Sequence, residues 1–213
     1  MPDTSPQRNL IAILRGITPD EAVAVTQVLV EEGFALIEVP MNSPEPLESI
    51  SRMAAAGFPG TVQIGGGTIL TPAEVDALAA TGGRFVVSPD CNPDVIQRTK
   101  EKGLDSWPGV FTATECFAAL RNGADRLKLF PGAQLRPDGL KALRAVLPPS
   151  TPLYVVGGAD AANFAEWLVA GATGFGIGSA LYSSGASLED IRQAARRLVT
   201  AFDKAHSQIE AAA

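Results

Sequence analysis

A lysine within an apolar run is the residue of this chain whose type and setting most clearly indicate chemistry. Lys128 lies between Leu127 and Leu129 in the segment RLKLFP. If this segment is a strand whose leucines pack against helices, Lys128 points to the opposite face, because side chains alternate along a strand. Burial lowers the pKa of an ammonium group, and the neutral amine can attack a ketone to form a Schiff base. The alternative is a structural ion pair with a buried carboxylate.

A glutamate in a second apolar run has the same pattern. In the segment ALIEVP, Ile37 and Val39 are predicted to pack outward, whereas Glu38 faces inward together with Leu36. A carboxylate whose pKa is raised by burial can move the protons that Schiff-base chemistry requires. Glu38 could also serve only as a structural counter-ion of Lys128, and the sequence leaves both interpretations open.

Glycine-rich segments follow the last two apolar runs and indicate an anion site. VVGGAD contains Gly157 and Gly158, and GIGSALY contains Gly178 and Ser179, where a short helix is expected to begin. Phosphate sites of eight-stranded barrels frequently use the loops after strands seven and eight and the N–H groups of a short helix. Tight turns need glycine in any case, so the indication comes from the pair of segments and not from either alone.

Two further residues at strand ends are suited to a carboxylate. Arg15 follows the first apolar run and could clamp a carboxylate with two hydrogen bonds, or could form only a salt bridge at the rim. Thr68, in the segment GGGT, could donate a hydroxyl hydrogen bond where glycines let the backbone approach a ligand.

The candidate site residues must be positioned by regular secondary structure. Along the chain, short apolar runs alternate with amphipathic stretches. The predicted strands are 10–14, 35–39, 62–65, 84–88, 104–107, 126–130, 153–156 and 173–177. Helices are predicted between them, for example over 19–32, 72–81 and 113–122, where apolar residues recur at i, i+3, i+4 and i+7. This alternation predicts an α/β fold with a parallel sheet, and eight units predict a compact (β/α)8 TIM barrel. A doubly wound open sheet is the alternative.

Regularly placed glycines support eight units. Gly33, Gly82, Gly123 and Gly171 each follow a predicted helix and precede a strand. Each interval accommodates two strand–helix units, so four periods give eight strands. We expect residues 1–213 to form a single barrel domain, with a polar lead over 1–9 and a polar tail from about 203 to 213.

The composition of the chain argues against several classes of partner and of catalytic site. The net charge of −6 argues against a nucleic-acid partner, which needs clustered Lys and Arg. The single histidine, His206, lies in the polar tail, which argues against a histidine-based metal site or catalytic triad, so we expect neither a metal nor a cofactor. No apolar run has the length of a membrane span or a signal peptide, and Cys91 and Cys116 are too few for a disulfide framework. We therefore expect a cytoplasmic enzyme with no membrane partner.

Seven segments carry a resemblance to a known family, in family order from residue 10 to about 182: LIAILRGITPDEA, GFALIEVPMNSP, IGGGTIL, VVSPDCN, LKLFP, VVGG and GIGSALY. The chain resembles the class I aldolases that act on 2-keto-3-deoxy-6-phospho sugar acids. IEVPMNSP together with LKLFP is the specific part of the resemblance, whereas GGGT or VGG alone would not be.

The resemblance implies cleavage of a phosphorylated sugar acid to pyruvate and D-glyceraldehyde 3-phosphate, in a protein that is usually a homotrimer. It implies that Lys128 forms the Schiff base and that Glu38 moves protons through a bound water. It also implies that Thr68 and Arg15 hold the pyruvate carboxylate, and that the phosphate loops contain Gly157, Gly158, Gly178 and Ser179.

Two departures within the family bear on the substrate. Members that act on the gluconate-type epimer carry arginine where this chain has Asn42, and they tend to have threonine where it has Val156. The epimers differ at the C4 hydroxyl, with which valine cannot form a hydrogen bond. We therefore expect the galactonate-type substrate, with Arg15 supplying the cation that Asn42 lacks.

Other functions remain open at this point. Within the family, the alternative is an aldolase for the gluconate-type epimer or for 4-hydroxy-2-oxoglutarate. Small barrels with a similar phosphate site also catalyse isomerase and epimerase reactions without a Schiff base. A third alternative is a non-catalytic sugar-phosphate binding protein, in which Lys128 and Glu38 form only a structural pair.

Overall fold

Residues 8–211 are described by a computed structural model, and they form one parallel barrel surrounded by helices. The expected lead over 1–9 lies mostly outside these residues. The strands are β1 (Leu10–Ile13), β2 (Leu36–Pro40), β3 (Gln63–Gly67), β4 (Phe85–Val87), β5 (Asp105–Trp107), β6 (Gly109–Val110), β7 (Leu127–Leu129), β8 (Leu153–Val156) and β9 (Gly174–Ile177). The helices are α1 (Pro19–Glu31), α2 (Pro46–Ala55), α3 (Pro72–Ala80), α4 (Pro93–Glu101), α5 (Ala113–Arg121), α6 (Gly132–Arg144), α7 (Phe164–Val169) and α8 (Leu188–Glu210).

The sheet order confirms the barrel and shows that the open-sheet alternative is wrong. All eight predicted strands are present, and the order is β5-β4-β3-β2-β1-β9-β8-β7-β6. Only Pro108 separates β5 from β6, so these two short strands are halves of one barrel strand. The first half pairs with β4 and the second with β7, which closes the sheet on itself.

Proline explains why the fifth barrel strand is split. Proline has no N–H to donate to a ladder, and the predicted strand 104–107 ends directly before Pro108. Its carbonyl nevertheless accepts a hydrogen bond of 2.9 Å from the Lys128 amide, and the Gly109 amide donates to the Asp90 carbonyl at 3.2 Å. The chain therefore crosses the interruption and continues along β7.

Side chains alternate in direction along each strand, and this divides the core into two layers. The outer layer lies between strands and helices and includes Leu127, Leu129, Ile37 and Val39. The inner layer fills the barrel with Ile11, Ile13, Leu36, Phe85, Val87, Trp107, Tyr154 and Val156. Because Lys128 and Glu38 alternate with outer-layer residues, both point into the barrel, as the pattern predicts.

Helix caps and glycines fix the connections between units. The Thr71 and Thr112 hydroxyls each accept a hydrogen bond from the amide of the third residue of the following helix. That residue is a glutamate, and its carboxylate accepts a hydrogen bond from the threonine amide. The repeated glycines have left-handed backbones, with φ of 98° at Gly33 and 95° at Gly123. Helix α8 runs through most of the expected polar tail, where the His206 ring stacks on Phe202. Among the helices within residues 8–211, none combines the length and apolar character that crossing a bilayer requires.

Candidate active site

The inward lysine lies in a desolvated setting. Lys128 is 7% exposed and is flanked in β7 by two fully buried leucines. Burial lowers its pKa, the nearby positive charge of Arg15 lowers it further, and the Glu38 carboxylate partly opposes the shift. The lower pKa increases the fraction of neutral amine, which is the form that attacks a carbonyl carbon.

The inward glutamate is buried still more completely. Glu38 is 2% exposed, and burial raises its pKa, although the charges of Lys128 and Arg15 oppose this shift. Gly67 of the neighbouring strand β3 makes room for it, since a Cβ at Gly67 would overlap the Glu38 carboxylate. A carboxyl group with a raised pKa can exchange a proton near neutral pH, which suits a general acid and base.

Arg15 brings a positive charge to the edge of this interior. It follows β1, is exposed, and donates from Nη1 to Oδ1 of Asn42 in the loop after β2. Its charge affects the pKa values of both Lys128 and Glu38, so it lies near both groups. A guanidinium in this position can hold a substrate carboxylate next to the lysine.

A cavity of 580 Å³ opens at the carboxyl ends of β1, β8 and β9. Its lining includes six of the nine residues that sequence analysis assigned to the site: Arg15, Val156, Gly157, Gly158, Gly178 and Ser179. Lys128, Glu38 and Thr68 are not in the lining. Arg15 lines the cavity, and its charge also acts on the buried pair inside the barrel.

The glycine loops line the cavity and contain unpaired backbone amides. Gly157 and Gly158 have φ of 83° and 92°, and a Cβ at Gly158 would crowd Ala133. Within residues 8–211, the amides of Gly157, Gly158, Gly178 and Ser179 have no backbone or side-chain acceptor. Residues that line one cavity and have unpaired amides are suited to bind an anion such as phosphate.

The expected short helix after the last strand is smaller than predicted. The amides of Leu181 and Tyr182 both donate to the Gly178 carbonyl, at 2.9 and 3.0 Å, which gives one hydrogen-bonded turn. The chain then passes through Ser183 and Ser184 along the cavity wall. A single turn still leaves the amides of Gly178 and Ser179 available, so the expected anion site keeps its donors.

Thr68 lies at the end of β3 with a backbone that is unusual for its type. Its φ is 57°, in the left-handed region that β-branched residues rarely adopt, and its side chain is half-buried. The next amide, of Ile69, donates to the Val87 carbonyl at 3.2 Å, and the Gly67 carbonyl accepts from Met41 at 2.7 Å. Strained backbone of this kind is frequent at ligand sites, and contact between Thr68 and a carboxylate stays a prediction.

Phe130 is a site residue that sequence analysis did not single out. The Lys128 Nζ lies 5.1 Å from the centroid of its ring, and the ring is close to where a Cβ at Gly157 would lie. The available signal was its spacing, because a residue two positions after Lys128 lies on the same face of a strand. Phe130 is 39% exposed, whereas the lysine that its ring contacts is 7% exposed.

Comparisons with known proteins show which family the chain resembles. Residues 4–196 match the family model described as "Aldolase: KDPG and KHG aldolase". The chain is 48% identical to the probable 2-dehydro-3-deoxy-6-phosphogalactonate aldolase of Rhizobium meliloti, over 92% of each chain. It is 44% identical to the 2-dehydro-3-deoxy-6-phosphogalactonate aldolase of Escherichia coli K12, over 92% of this chain and 95% of the relative. A solved structure described as "Native KDPGal structure" has a TM-score of 0.92 and 43% identity, over 95% of this chain and 98% of the other.

Proposed function

Because this chain belongs to the KDPG and KHG aldolase family, we propose that it is a class I aldolase for 2-dehydro-3-deoxy-6-phosphogalactonate in galactonate degradation. Its products are pyruvate and D-glyceraldehyde 3-phosphate. The observation that carries this proposal is the burial of Lys128 and Glu38 in one barrel interior. Burial lowers the pKa of Lys128 and raises the pKa of Glu38, so it favours the neutral form of each group. The names of the two curated relatives support the choice of substrate.

The reaction begins with the neutral amine of Lys128. Its Nζ attacks the C2 ketone of the substrate, and the resulting carbinolamine loses water to give a protonated imine. The C4 hydroxyl then loses its proton and the C3–C4 bond breaks. The aldehyde leaves, and the electron pair of the broken bond stays on the C3 side, where it forms an enamine with the imine. Protonation of the enamine at C3 and hydrolysis of the imine release pyruvate and restore the amine.

Glu38 moves the protons of this sequence. It accepts the proton of the C4 hydroxyl and returns one to the enamine, in part through a bound water, and its raised pKa suits both directions. Arg15 and Thr68 hold the carboxylate that becomes the carboxylate of pyruvate. No metal or organic cofactor takes part in these steps, because the protonated imine accepts the electrons of the broken bond.

The glycine loops bind the other end of the substrate. The amides of Gly157, Gly158, Gly178 and Ser179 surround the phosphate in the 580 Å³ cavity. Val156 lies in both the inner layer and the cavity lining, so it contacts the middle of the substrate. A valine there offers no hydrogen bond to the C4 hydroxyl, which favours the galactonate-type epimer.

Pyruvate release from the two C4-epimeric 6-phosphates, compared by kcat/KM, tests the proposal. Preference for the galactonate-type epimer supports it, and preference for the gluconate-type epimer keeps the lysine mechanism but rejects the substrate. Tight binding of the sugar acid with no release of pyruvate would instead favour the non-catalytic binding protein.

Assembly and location complete the proposal. We propose a cytoplasmic homotrimer, in keeping with the resemblance, with no nucleic-acid or membrane partner. Three exposed apolar side chains near the carboxyl ends of strands, Leu70, Phe111 and Phe130, are available for contact between copies. Native mass spectrometry at micromolar concentration gives the number of subunits directly.

A further inference from the structure

Hydrogen bonds join the loop after β2 to the loop after β1. One of them is made by Arg15, the residue that carries the positive charge of the site. The Arg15 Nη1 donates to the Asn42 Oδ1, and the following amide, of Gly16, donates to the Ser43 Oγ at 2.9 Å. Ser43 is itself buried and is fixed by its own amide, which donates to the Pro40 carbonyl at 2.9 Å. Two consecutive residues of one loop are therefore bonded to two consecutive residues of the other.

A second loop holds the same turn from the opposite side. The Ser184 Oγ donates to the Gly16 carbonyl at 3.1 Å, and a Cβ at Gly16 would overlap this hydroxyl. The backbone at Arg15 is thus fixed between the loops after β2 and β9. The side chain of Arg15 is nevertheless exposed, and its only hydrogen bond among the described residues is to Asn42.

We propose that Asn42 is a positioning residue, which orients the Arg15 guanidinium for the substrate carboxylate without neutralising its charge. The proposal rests on the proposed function in one respect, the binding of the substrate carboxylate by Arg15. A free arginine side chain samples many rotamers, and fixing it on ligand binding costs free energy. Asn42 fixes it beforehand, and the remaining guanidinium N–H groups stay available for a bidentate contact.

The residue type at position 42 is as important as its position. Arginine offers only donors, so the group that holds it must offer an acceptor, and the amide oxygen of Asn42 is a neutral one. An aspartate at this position would accept the same bond, but it would also form an ion pair with Arg15. That ion pair would compete with the carboxylate of the substrate for the guanidinium.

Borohydride trapping of the pyruvate imine on Lys128, measured against pyruvate concentration, tests this role. We expect Asn42→Ala to raise the half-saturating pyruvate concentration by about 3- to 10-fold, the size expected for immobilising one long side chain. Asn42→Asp should raise it further, and trapping at saturating pyruvate should change by less than about twofold for both variants. Asn122→Ala is the matched control, because Asn122 follows α5 at the other end of the barrel.

A double-mutant cycle separates action through Arg15 from a general effect on the fold. Asn42→Ala should have no further effect on half-saturation in an Arg15→Ala background, because there is no guanidinium left to position. An additive effect of Asn42→Ala in that background, or no effect of Asn42→Ala in the wild type, would overturn the proposal.

A readout that needs no catalysis keeps the two proposals distinguishable. In NMR relaxation, the Nε–H order parameter of Arg15 should fall in Asn42→Ala and stay unchanged in Asn122→Ala. An unchanged order parameter would overturn the positioning role even if the aldolase reaction is confirmed. If wild-type protein traps no pyruvate, the proposed function fails. A fall in the order parameter would then show that Asn42 fixes Arg15, but the role toward a substrate carboxylate would be rejected together with the function.

Discussion

Lys128 and Glu38 face each other from opposite walls of the barrel. They lie on β7 and β2, which are four strands apart in either direction around the sheet when β5 and β6 count as one strand. Each charge affects the pKa of the other group, although neither is a neighbour of the other along a ladder. Under the proposed function, this arrangement would set the amine of Lys128 and the carboxyl group of Glu38 on opposite sides of the substrate.

Loss of the amine should remove the reaction but not the fold. We expect Lys128→Met to lower turnover by at least about 1,000-fold and to abolish imine trapping, because no other group supplies the nucleophile. Methionine fills similar volume in a buried position, so the thermal unfolding midpoint serves as the check on folding. The matched control is Lys141→Met, at an exposed lysine of α6, which should keep full activity. Substantial activity in Lys128→Met would place the nucleophile elsewhere.

The pH at which imine trapping rises should shift in opposite directions in two variants. Attack requires the neutral amine of Lys128, so trapping at saturating pyruvate rises through the pKa of that residue. The Glu38 charge raises this pKa, and Glu38→Gln should therefore move the rising limb to lower pH. Arg15 lowers the same pKa, and Arg15→Ala should move the limb to higher pH. Shifts in the same direction would contradict the arrangement of charges described above.

Sequence patterns predicted the parts of the site that depend on local alternation. The inward directions of Lys128 and Glu38 follow from a period of two residues, which is independent of the rest of the fold. The glycine loops were predicted for a similar reason, since they follow strands seven and eight of a recognisable barrel.

Contacts between distant loops could not be predicted in this way. The hydrogen bond between Arg15 and Asn42 joins residues on different strand ends, and no periodicity specifies it. The predicted strand 104–107 ends before Pro108, but the ladder resumes after it because the next residues pair with β7. The helix expected after Gly178 is only one turn, because the chain then follows the cavity wall instead of continuing the helix.

The space for Glu38 depends on one glycine. A Cβ at Gly67 would overlap the carboxylate, so Gly67→Ala should force Glu38 to rotate away from the substrate. We expect turnover to fall by about 100-fold, which is the lower range for loss of a general acid or base. Gly60→Ala is the matched control, since a Cβ there has open space. If Gly67 acts through Glu38, then Gly67→Ala should add little to the defect of Glu38→Gln.

Discrimination between the C4 epimers should respond to the residue at position 156. Val156 is 8% exposed, lines the cavity and lies in the inner layer of the barrel. Val156→Thr keeps its shape but adds a hydroxyl, and we expect the ratio of kcat/KM to move toward the gluconate-type epimer by about 10-fold. The measurement is pyruvate release from both epimers under the same conditions. An unchanged ratio would assign discrimination to another residue and leave the lysine mechanism intact.

The phosphate loops should be separable from the imine chemistry by a single methyl group. Gly178 lines the cavity and a Cβ there would meet no protein atom within 4 Å, so Gly178→Ala places its methyl group without strain in the space that the phosphate would occupy. We expect KM for the phosphorylated substrate to rise by about 10-fold, whereas imine trapping with pyruvate, which has no phosphate, should not change. Gly60→Ala again serves as the control. An equal loss of pyruvate trapping would mean that Gly178 supports the fold around Lys128 and not the phosphate, and the anion would then have to bind elsewhere in the cavity.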